Sequence, residues 1–340
     1  MSTLQDRITR TPGGARRLPQ FVIAGAPKAG TTALHAALAT HPDLYLSPIK
    51  EPKYYLTHGR RPSRSGHRGP GDAHSAGEWV WRREDYRSLF DGAPPDAVRG
   101  ESTPFYLYDR AAQARLAADV PDIKVIAVVR DPVDRAYSNW VHLRADGLEP
   151  EADFLTAVRL EDQRIDAGWA PFWHYRGLSR YGEQLRDLYR HVPREQVFVL
   201  RYRQLVDTPR ETLDRVSAFL GVSGGVAHTV APENVKPYVP DTPRYRLLAR
   251  LVRVGAALGA YGPPQVWRQA SRPLIAALHA GRAPRPPLPV AVRREVLTPM
   301  LDDIAVLEEL TGESFADWRR DTGRGDFRSR QSNAEAAGRS

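Results

Sequence analysis

The sequence predicts an α/β fold, a three-layer sandwich in which a central parallel sheet is flanked by helices. Three stretches support this prediction. Residues 21–25 are apolar or small and precede a turn, after which apolar residues recur at helical spacing. Residues 124–129 form an unbroken run rich in β-branched side chains, as in a parallel strand that is buried on both faces. Residues 196–201 supply a further apolar strand.

The turn that follows the first strand has the composition of an anion-binding loop. Small residues between a strand and a helix let backbone N–H groups and the positive helix end approach one anion. Gly25 and Gly30 match the glycine spacing of the Walker loop, but Lys28 lies before the second glycine rather than directly after it. Thr31 and Thr32 open the helix. The lysine and threonines favour anion binding and a P-loop-like fold over a tight turn without a ligand.

Composition narrows the class of protein. The chain has 340 residues and a formal net charge of +9, which suits an anionic ligand and would equally suit nucleic acid. It has no cysteine, so a disulfide scaffold and thiolate chemistry are excluded. Residues 1–19 lack the apolar core of a signal peptide, and arginines interrupt the apolar residues 247–258. We therefore expect a cytoplasmic protein without a transmembrane segment.

The domain organisation follows from shifts in composition. We expect a single domain over residues 20–319, a disordered basic tail at 1–19 and a second disordered tail at 320–340. Residues 58–77 are rich in Gly, Pro, Ser, Arg and His, and either a flexible binding loop or a solvated insertion would have this composition. Residues 240–290 are predicted to be helical and rich in arginine. A cap over the site is favoured there over a peripheral amphipathic surface.

Several motifs resemble those of one enzyme family. Residues 26–32, Ala-Pro-Lys-Ala-Gly-Thr-Thr, resemble the phosphosulfate-binding loop of sulfotransferases that use 3′-phosphoadenosine-5′-phosphosulfate (PAPS). His41-Pro42 and residues 50–52, Lys-Glu-Pro, resemble the bacterial and heparan-type branch. Further matches extend to Trp318. The resemblance implies transfer of a sulfuryl group from PAPS to a hydroxyl of a carbohydrate, glycolipid or glycosylated metabolite, with the bisphosphate PAP as product and without a metal.

The resemblance also implies where the donor binds. Lys28 would meet the leaving phosphate oxygen. The 5′-phosphosulfate would lie against four further loop and helix residues, which are Ala29, Gly30, Thr31 and Thr32.

Arg130 and Ser138 form the second predicted part of the donor site. Arg130 follows a predicted central strand, and ligands of open α/β sheets bind at the carboxyl ends of strands. In the family, an Arg-Asp-Pro motif with a serine eight residues after the arginine clamps the 3′-phosphate. From the residues alone, an ion pair at the sheet edge is the alternative for Arg130. Lys236 and Arg244 lie at positions where, in relatives, the chain returns to cover the donor. We predict that Lys236 or Arg244 contacts the donor.

Glu51 is the candidate catalytic carboxylate. Spacing alone favours an exposed glutamate that is paired with Lys50 or Lys53. The resemblance implies instead that Glu51 takes the proton of the acceptor hydroxyl as a general base. If it does not, His58 and His74 are the alternatives.

Two other functions stay open. A P-loop kinase or nucleotide hydrolase would share the loop, but would prefer an aspartate for Mg²⁺ where Arg130 stands. A non-catalytic nucleic-acid-binding module would share the positive charge, but the arginines are scattered and no reader motif is present. The histidines do not form the spacing of a helical zinc motif, so no metal site is predicted. The predicted partner is a small-molecule or glycan acceptor, and a homodimer is left open.

Overall fold

The computed structural model describes residues 18–57, 59–62, 69, 79–226, 230, 236–259 and 264–319. Most of the predicted tails and most of the predicted loop at 58–77 therefore lie outside the described residues, as do His58 and His74. Within the described ranges, none of the helices combines the length and the apolar character that a bilayer crossing requires.

Five parallel strands form the central sheet. Their order across the sheet is β2-β3-β1-β4-β5. The strands are β1 (Phe21–Gly25), β2 (Leu44–Leu46), β3 (Val98–Ser102), β4 (Lys124–Val129) and β5 (Val197–Arg201). Because β1 lies between β3 and β4, the carboxyl ends of these three strands meet at one edge. Ligands of open α/β sheets bind at such an edge, where the strand order reverses.

The central strands are buried because helices cover both faces of the sheet. All five residues of β1 and five of the six residues of β4 are buried, which explains why both stretches are continuously apolar. The predicted α/β fold, a P-loop-like sandwich with a central parallel sheet flanked by helices, is confirmed.

Fourteen α-helices lie within the described residues. They are α1 (Thr31–Leu38), α2 (Tyr54–Thr57), α3 (Arg83–Ser88), α4 (Arg110–Asp119), α5 (Pro132–Ala145), α6 (Phe154–Arg159), α7 (Glu161–Asp166), α8 (Tyr181–Leu188), α9 (Tyr202–Asp207), α10 (Pro209–Leu220), α11 (Pro243–Gly259), α12 (Pro264–His279), α13 (Val290–Leu297) and α14 (Leu301–Thr311). Short 3-10 helices cover Pro171–Trp173, Gly177–Ser179, Arg194–Gln196, Thr298–Met300 and Ala316–Arg319.

Local sequence signals account for several helix ends. Asp131 accepts hydrogen bonds from the N–H groups of Val133 and Asp134, both at 3.0 Å, and so caps the start of α5. Gly221 ends α10 in the left-handed conformation, with φ of 82°. Residues 153–166 contain two helices, α6 and α7, because Leu160 ends one and starts the next.

Two long helices follow residue 242. Helix α11 packs against α12, and both lie near the end of α5, where Gly147 is close to Leu278 and Ala249. One continuous hydrophobic core extends from Leu18 to Trp318. This core supports the predicted single domain over 20–319, which stays a prediction, as does the role of 240–290 as a cap.

Candidate active site

The loop between β1 and α1 is fixed to the neighbouring strand and ends at an open helix terminus. The N–H of Ala26 donates to the carbonyl of Val128 in β4 at 2.8 Å. Gly30 precedes α1 with φ of 96°, and no side chain caps the helix there. The first N–H groups of a helix have no partners within it, so those of Thr31 and Thr32, with the positive helix end, form the kind of terminus at which anions bind.

Arg130 and Tyr202 close this loop from the side of β4 and β5. The Nη1 of Arg130 donates to the carbonyl of Lys28 at 3.1 Å, and its guanidinium lies 4.6 Å from the ring centroid of Tyr202. A Cβ added at Gly30 would lie 2.8 Å from Cδ2 of Tyr202. Only glycine therefore fits between the helix start and this ring. Arg130 therefore contacts the loop, which an arginine that binds the donor must do.

One face of α5 connects two predicted donor-binding lysines. Ser138, His142 and Asp146 follow each other at four-residue intervals and so share that face. The Nζ of Lys28 lies 3.3 Å from Nδ1 of His142, and Nε2 of His142 lies 3.5 Å from Asp146. Lys236 donates to Asp146 at 2.8 Å. Lys28 and Lys236 thus meet the same helix face that carries Ser138.

Glu51 lies beside the end of β3. Its N–H donates to the carbonyl of Ser102 at 2.9 Å, and its carboxylate accepts from Nζ of Lys50 at 2.7 Å. The ion pair expected from spacing is therefore present. His35 of α1 lies next to this pair, with Nδ1 at 2.8 Å from the hydroxyl of Ser102. Burial, followed by the charge of Lys50, lowers the pKa of His35 to about 4, which leaves a neutral imidazole beside Glu51 at neutral pH.

Arg135 places a buried positive charge under the loop. It is fully buried, and its guanidinium donates to the carbonyls of Pro27 at 3.4 Å and Tyr175 at 2.7 Å and to the hydroxyl of Ser179 at 2.6 Å. Burial lowers its pKa to about 10, so it stays charged at neutral pH. Because these partners are neutral oxygens, the charge contributes a positive potential at the loop.

A buried carboxylate lies below Glu51. Glu101 is fully buried and accepts hydrogen bonds from the hydroxyls of Tyr86 at 3.1 Å and Thr103 at 2.8 Å. Burial raises its pKa to about 7. The hydroxyl of Thr103 also accepts from the N–H of Lys53 at 3.3 Å, so this network supports the segment that carries Glu51.

The aspartate of the Arg-Asp-Pro motif has a structural role. Asp131 caps α5 and forms a short ion pair with Arg293. Because this carboxylate is already bonded to the start of α5 and to Arg293, it does not match the Mg²⁺ ligand that a kinase carries at this strand end.

The other residues singled out in the sequence lie elsewhere. Arg244 is exposed on α11, and among the described residues no hydrogen bond or ion pair joins it to the loop, Arg130 or Ser138. Phe172 and Trp173, in an aromatic-rich stretch before α8, are buried, which favours a role in core packing over contact with an acceptor.

Four residues of this site were not predicted. They are His35, Arg135, His142 and Tyr202. A local signal existed for two of them, since His35 follows Thr31 by four residues and His142 follows Ser138 by four, each on one helix face. The contacts of Arg135 and Tyr202 with the loop join segments that are far apart in sequence, and no local pattern shows such contacts.

Comparisons with known proteins agree with this geometry. A family model described as the sulfotransferase family matches residues 19–224, more than half of the chain. Heparan sulfate glucosamine 3-O-sulfotransferase 3B1 of Mus musculus is 32% identical over 210 residues, which are 62% of this chain and 47% of that protein. The bifunctional heparan sulfate N-deacetylase/N-sulfotransferase 3 of Mus musculus is 29% identical over 214 residues, 61% of this chain and 23% of that protein.

A solved structure extends the similarity to most of the chain. The crystal structure of a sulfotransferase from Alicyclobacillus acidocaldarius superposes with a TM-score of 0.68 at 27% sequence identity. The alignment covers 89% of this chain and 99% of that chain. By contrast, the chain spans about half the length of the heparan sulfate 3-O-sulfotransferase.

Proposed function

The chain belongs to the sulfotransferase family, and we propose that it transfers a sulfuryl group from PAPS to a hydroxyl group of a carbohydrate. The observation that carries this proposal is the contact of Arg130 with the loop that bears Lys28. Two cationic residues that follow neighbouring strands are thus joined at the loop that precedes the open helix terminus. The names of the two curated relatives support a carbohydrate acceptor.

The donor would bind across the edge of the sheet. In this proposal the N–H groups of Ala29, Gly30 and Thr31, with the hydroxyl of Thr32, hold the 5′-phosphosulfate. Arg130 and Ser138 bind the 3′-phosphate. Lys236 donates to Asp146, which follows α5 on the face that carries Ser138. Lys236 therefore covers the donor from that side. PAPS is a substrate here, and the site suits its anionic groups because Lys28, Arg130 and the N-terminal end of α1 are positive.

The transfer step requires alignment and charge stabilisation. The S–O bond to the acceptor forms while the S–O bond to the phosphate of PAPS breaks, and PAP leaves with the electron pair. Lys28 stabilises the negative charge that develops on the leaving oxygen. Glu51 accepts the proton of the acceptor hydroxyl, and Lys50 orients the carboxylate through its 2.7 Å hydrogen bond.

His142 is assigned to positioning Lys28. Its Nε2 faces the carboxylate of Asp146, so Nδ1 is the nitrogen that accepts from the lysine. Replacing His142 with alanine should lower the transfer rate more than PAP affinity, because the ammonium keeps its charge but loses its orientation. A His142→Gln variant, which keeps an acceptor oxygen, should recover part of the rate.

Calorimetry and a transfer assay test the proposed function. PAP should bind with measurable heat in buffer that contains a metal chelator, and Arg130→Ala should weaken this binding by roughly 10- to 100-fold. Radiolabelled PAPS should then label a heparan-type oligosaccharide. Failure of PAP to bind, together with Mg²⁺-dependent turnover of ATP, would support the kinase or hydrolase alternative instead. Strong, steeply salt-dependent DNA binding without transfer would support the nucleic-acid alternative.

Several finer expectations stay proposals. They concern the identity of the acceptor, the donor contact of Arg244, the cytoplasmic location and assembly as a homodimer. Assays against a series of sulfated and unsulfated glycans, cell fractionation and light scattering test them in turn.

A further inference from the structure

Helix α11 carries large apolar side chains on its outer face. Leu247, Leu251 and Val254 are 62%, 49% and 52% exposed, and they follow each other at intervals of four and three residues. They therefore form one stripe along the helix. The opposite face of the helix packs into the protein through Tyr245, Ala249, Val252 and Ala256. The stripe is thus exposed although the helix already has a buried face.

Arginines border this stripe on both sides. Arg244 lies three residues before Leu247, and Arg250 lies three residues after it, so the two occupy opposite flanks of the stripe. Both arginines are exposed. The outer face of α11 is therefore apolar in the centre and positive at its margins.

The net positive charge of the whole chain comes from a segment of the sequence that begins with this helix. Residues 242–294 contain ten arginines and no aspartate or glutamate. The other 39 lysines and arginines are balanced by all 40 aspartates and glutamates of the chain, so the remainder is close to neutral. The nearest acid in sequence, Asp241, is paired with Arg144 at 3.0 Å and with Arg246 at 2.9 Å.

We propose that the outer face of α11 binds the surface of an anionic membrane. The helix would lie in the plane of the interface, with its aliphatic stripe at the boundary between headgroups and acyl chains. Arg244 and Arg250 would meet lipid phosphates and carboxylates on either side of the stripe. Such binding is peripheral and would hold the enzyme next to acceptors that are themselves membrane-bound.

Two other occupants fit the same face less well. A soluble polyanion, such as a glycan or a nucleic acid, would use the arginines but leave the three aliphatic side chains exposed to water. A second copy of this chain would cover the stripe, but would bring two arginine-rich helices without acids against each other. A lipid surface is the occupant that satisfies both the apolar and the positive parts.

Vesicle sedimentation of the full chain tests the proposal. The probes are phosphatidylcholine vesicles and mixed phosphatidylcholine–phosphatidylserine vesicles. We expect sedimentation with the mixed vesicles only, weakened but not abolished by added salt. The double variant Leu247→Ser/Leu251→Ser should lower the partition coefficient at least about tenfold. Arg250→Gln should lower it about fivefold.

Matched controls separate this surface from general effects of charge and folding. Ile165→Ser removes an exposed aliphatic side chain from α7, and Arg210→Gln removes an exposed arginine from α10. Neither should change vesicle binding, and all variants should bind PAP as the parent protein does. The proposal is overturned if mixed vesicles bind no protein or if the controls and α11 variants behave alike. It is also overturned if the α11 double variant abolishes a homodimer without changing vesicle binding.

Discussion

Lys28 owes its position to three side chains of one distant segment, residues 130–142. Its backbone carbonyl accepts from Arg130, its ammonium lies beside His142, and the carbonyl of the preceding Pro27 accepts from Arg135. The lysine is therefore held at both its backbone and its charged end. At the scale of single residues, these contacts position the lysine for the reaction. Replacing Lys28 should therefore lower the transfer rate more than it lowers the free energy of unfolding.

Lys28→Ala should weaken PAP binding roughly 10- to 100-fold and lower the rate of transfer about 10²- to 10³-fold, because a charge-assisted contact to the leaving oxygen is lost. Calorimetry and single-turnover assays measure the two effects separately. Lys28→Arg serves as the matched control, since it keeps the charge and should retain most of the PAP affinity while transfer falls. Full transfer in the alanine variant would rule out the assigned role.

Glu51→Gln should lower the rate of transfer about 10²- to 10⁴-fold, because the amide cannot accept the proton of the acceptor. PAP affinity should stay within about twofold, since the carboxylate is assigned to the acceptor and not to the donor. The control is Glu84→Gln, at an exposed position in α3, which should leave both quantities unchanged. Unimpaired transfer by the Glu51 variant would direct the search for a base to the predicted alternatives, His58 and His74, and to His35 beside Glu51.

At the scale of elements, the loop before α1 and the start of α9 constrain each other. Gly30 has a positive φ and lies against the ring of Tyr202, which in turn stacks on Arg130. A substitution at any one of these three residues should therefore shift the other two. The loop geometry depends on a helix that starts more than 170 residues further along the chain.

Gly30→Ala should lower the free energy of unfolding by about 1–3 kcal/mol and weaken PAP binding, because the added Cβ combines backbone strain with a clash against Tyr202. Gly312→Ala is the matched control, since Gly312 also has a positive φ, of 70°, but open space around its Cβ position. It should cost about 1 kcal/mol and leave PAP binding unchanged. Chemical denaturation and calorimetry compare the two, and equal effects on PAP binding would contradict the role of the clash.

At the scale of the whole molecule, the free energy of unfolding should depend on pH through two titratable groups next to the site, the buried Glu101 and the partly buried His35. The folded state holds the pKa of Glu101 near 7, above its ordinary value of 4.5. The folded protein therefore binds this proton more tightly, and the associated stability is present below about pH 4.5 and lost as the pH rises through 7. The loss amounts to about 3 kcal/mol.

Glu101→Gln should reduce the loss of stability that accompanies rising pH, because glutamine does not titrate. Urea denaturation at about pH 5 and about pH 8 measures how far the free energy of unfolding falls with pH in the variant and in the parent protein. An exposed glutamate, Glu84, provides the matched Glu→Gln control, which should keep the parental decline. If the Glu101 variant declines as steeply as the parent, the buried carboxylate does not cause the pH dependence.

His35 should have the opposite effect on the acid side. Burial lowers its pKa from 6.5 to about 4, so the unfolded chain binds the proton more readily between these values. Stability is therefore lost as the pH falls from about 6.5 toward 4. His35→Asn should reduce this loss, and the midpoint of urea denaturation across that range measures it. His191→Asn is the control, since His191 is exposed at the end of α8.

Much of the fold could be predicted because its signals are local. The apolar runs of β1 and β4 and the glycine turn each lie within a short window of sequence, and the structure contains all three where they were expected. The helix after the turn likewise follows from its own spacing. The boundary between α6 and α7 at Leu160 is not a local signal of this kind, because periodicity does not show where one short helix stops and another begins.

By itself, the sequence determined that the chain is an α/β protein with an anion-binding loop, since strand, turn and helix are set by neighbouring residues. Only the tertiary structure decided which side chains meet that loop. His142 reaches Lys28 across 114 positions, and Glu51 lies beside Ser102 because β2, which precedes Glu51, is the neighbour of β3. Strand order depends on how all the helices pack together, and no local pattern of residues contains that information.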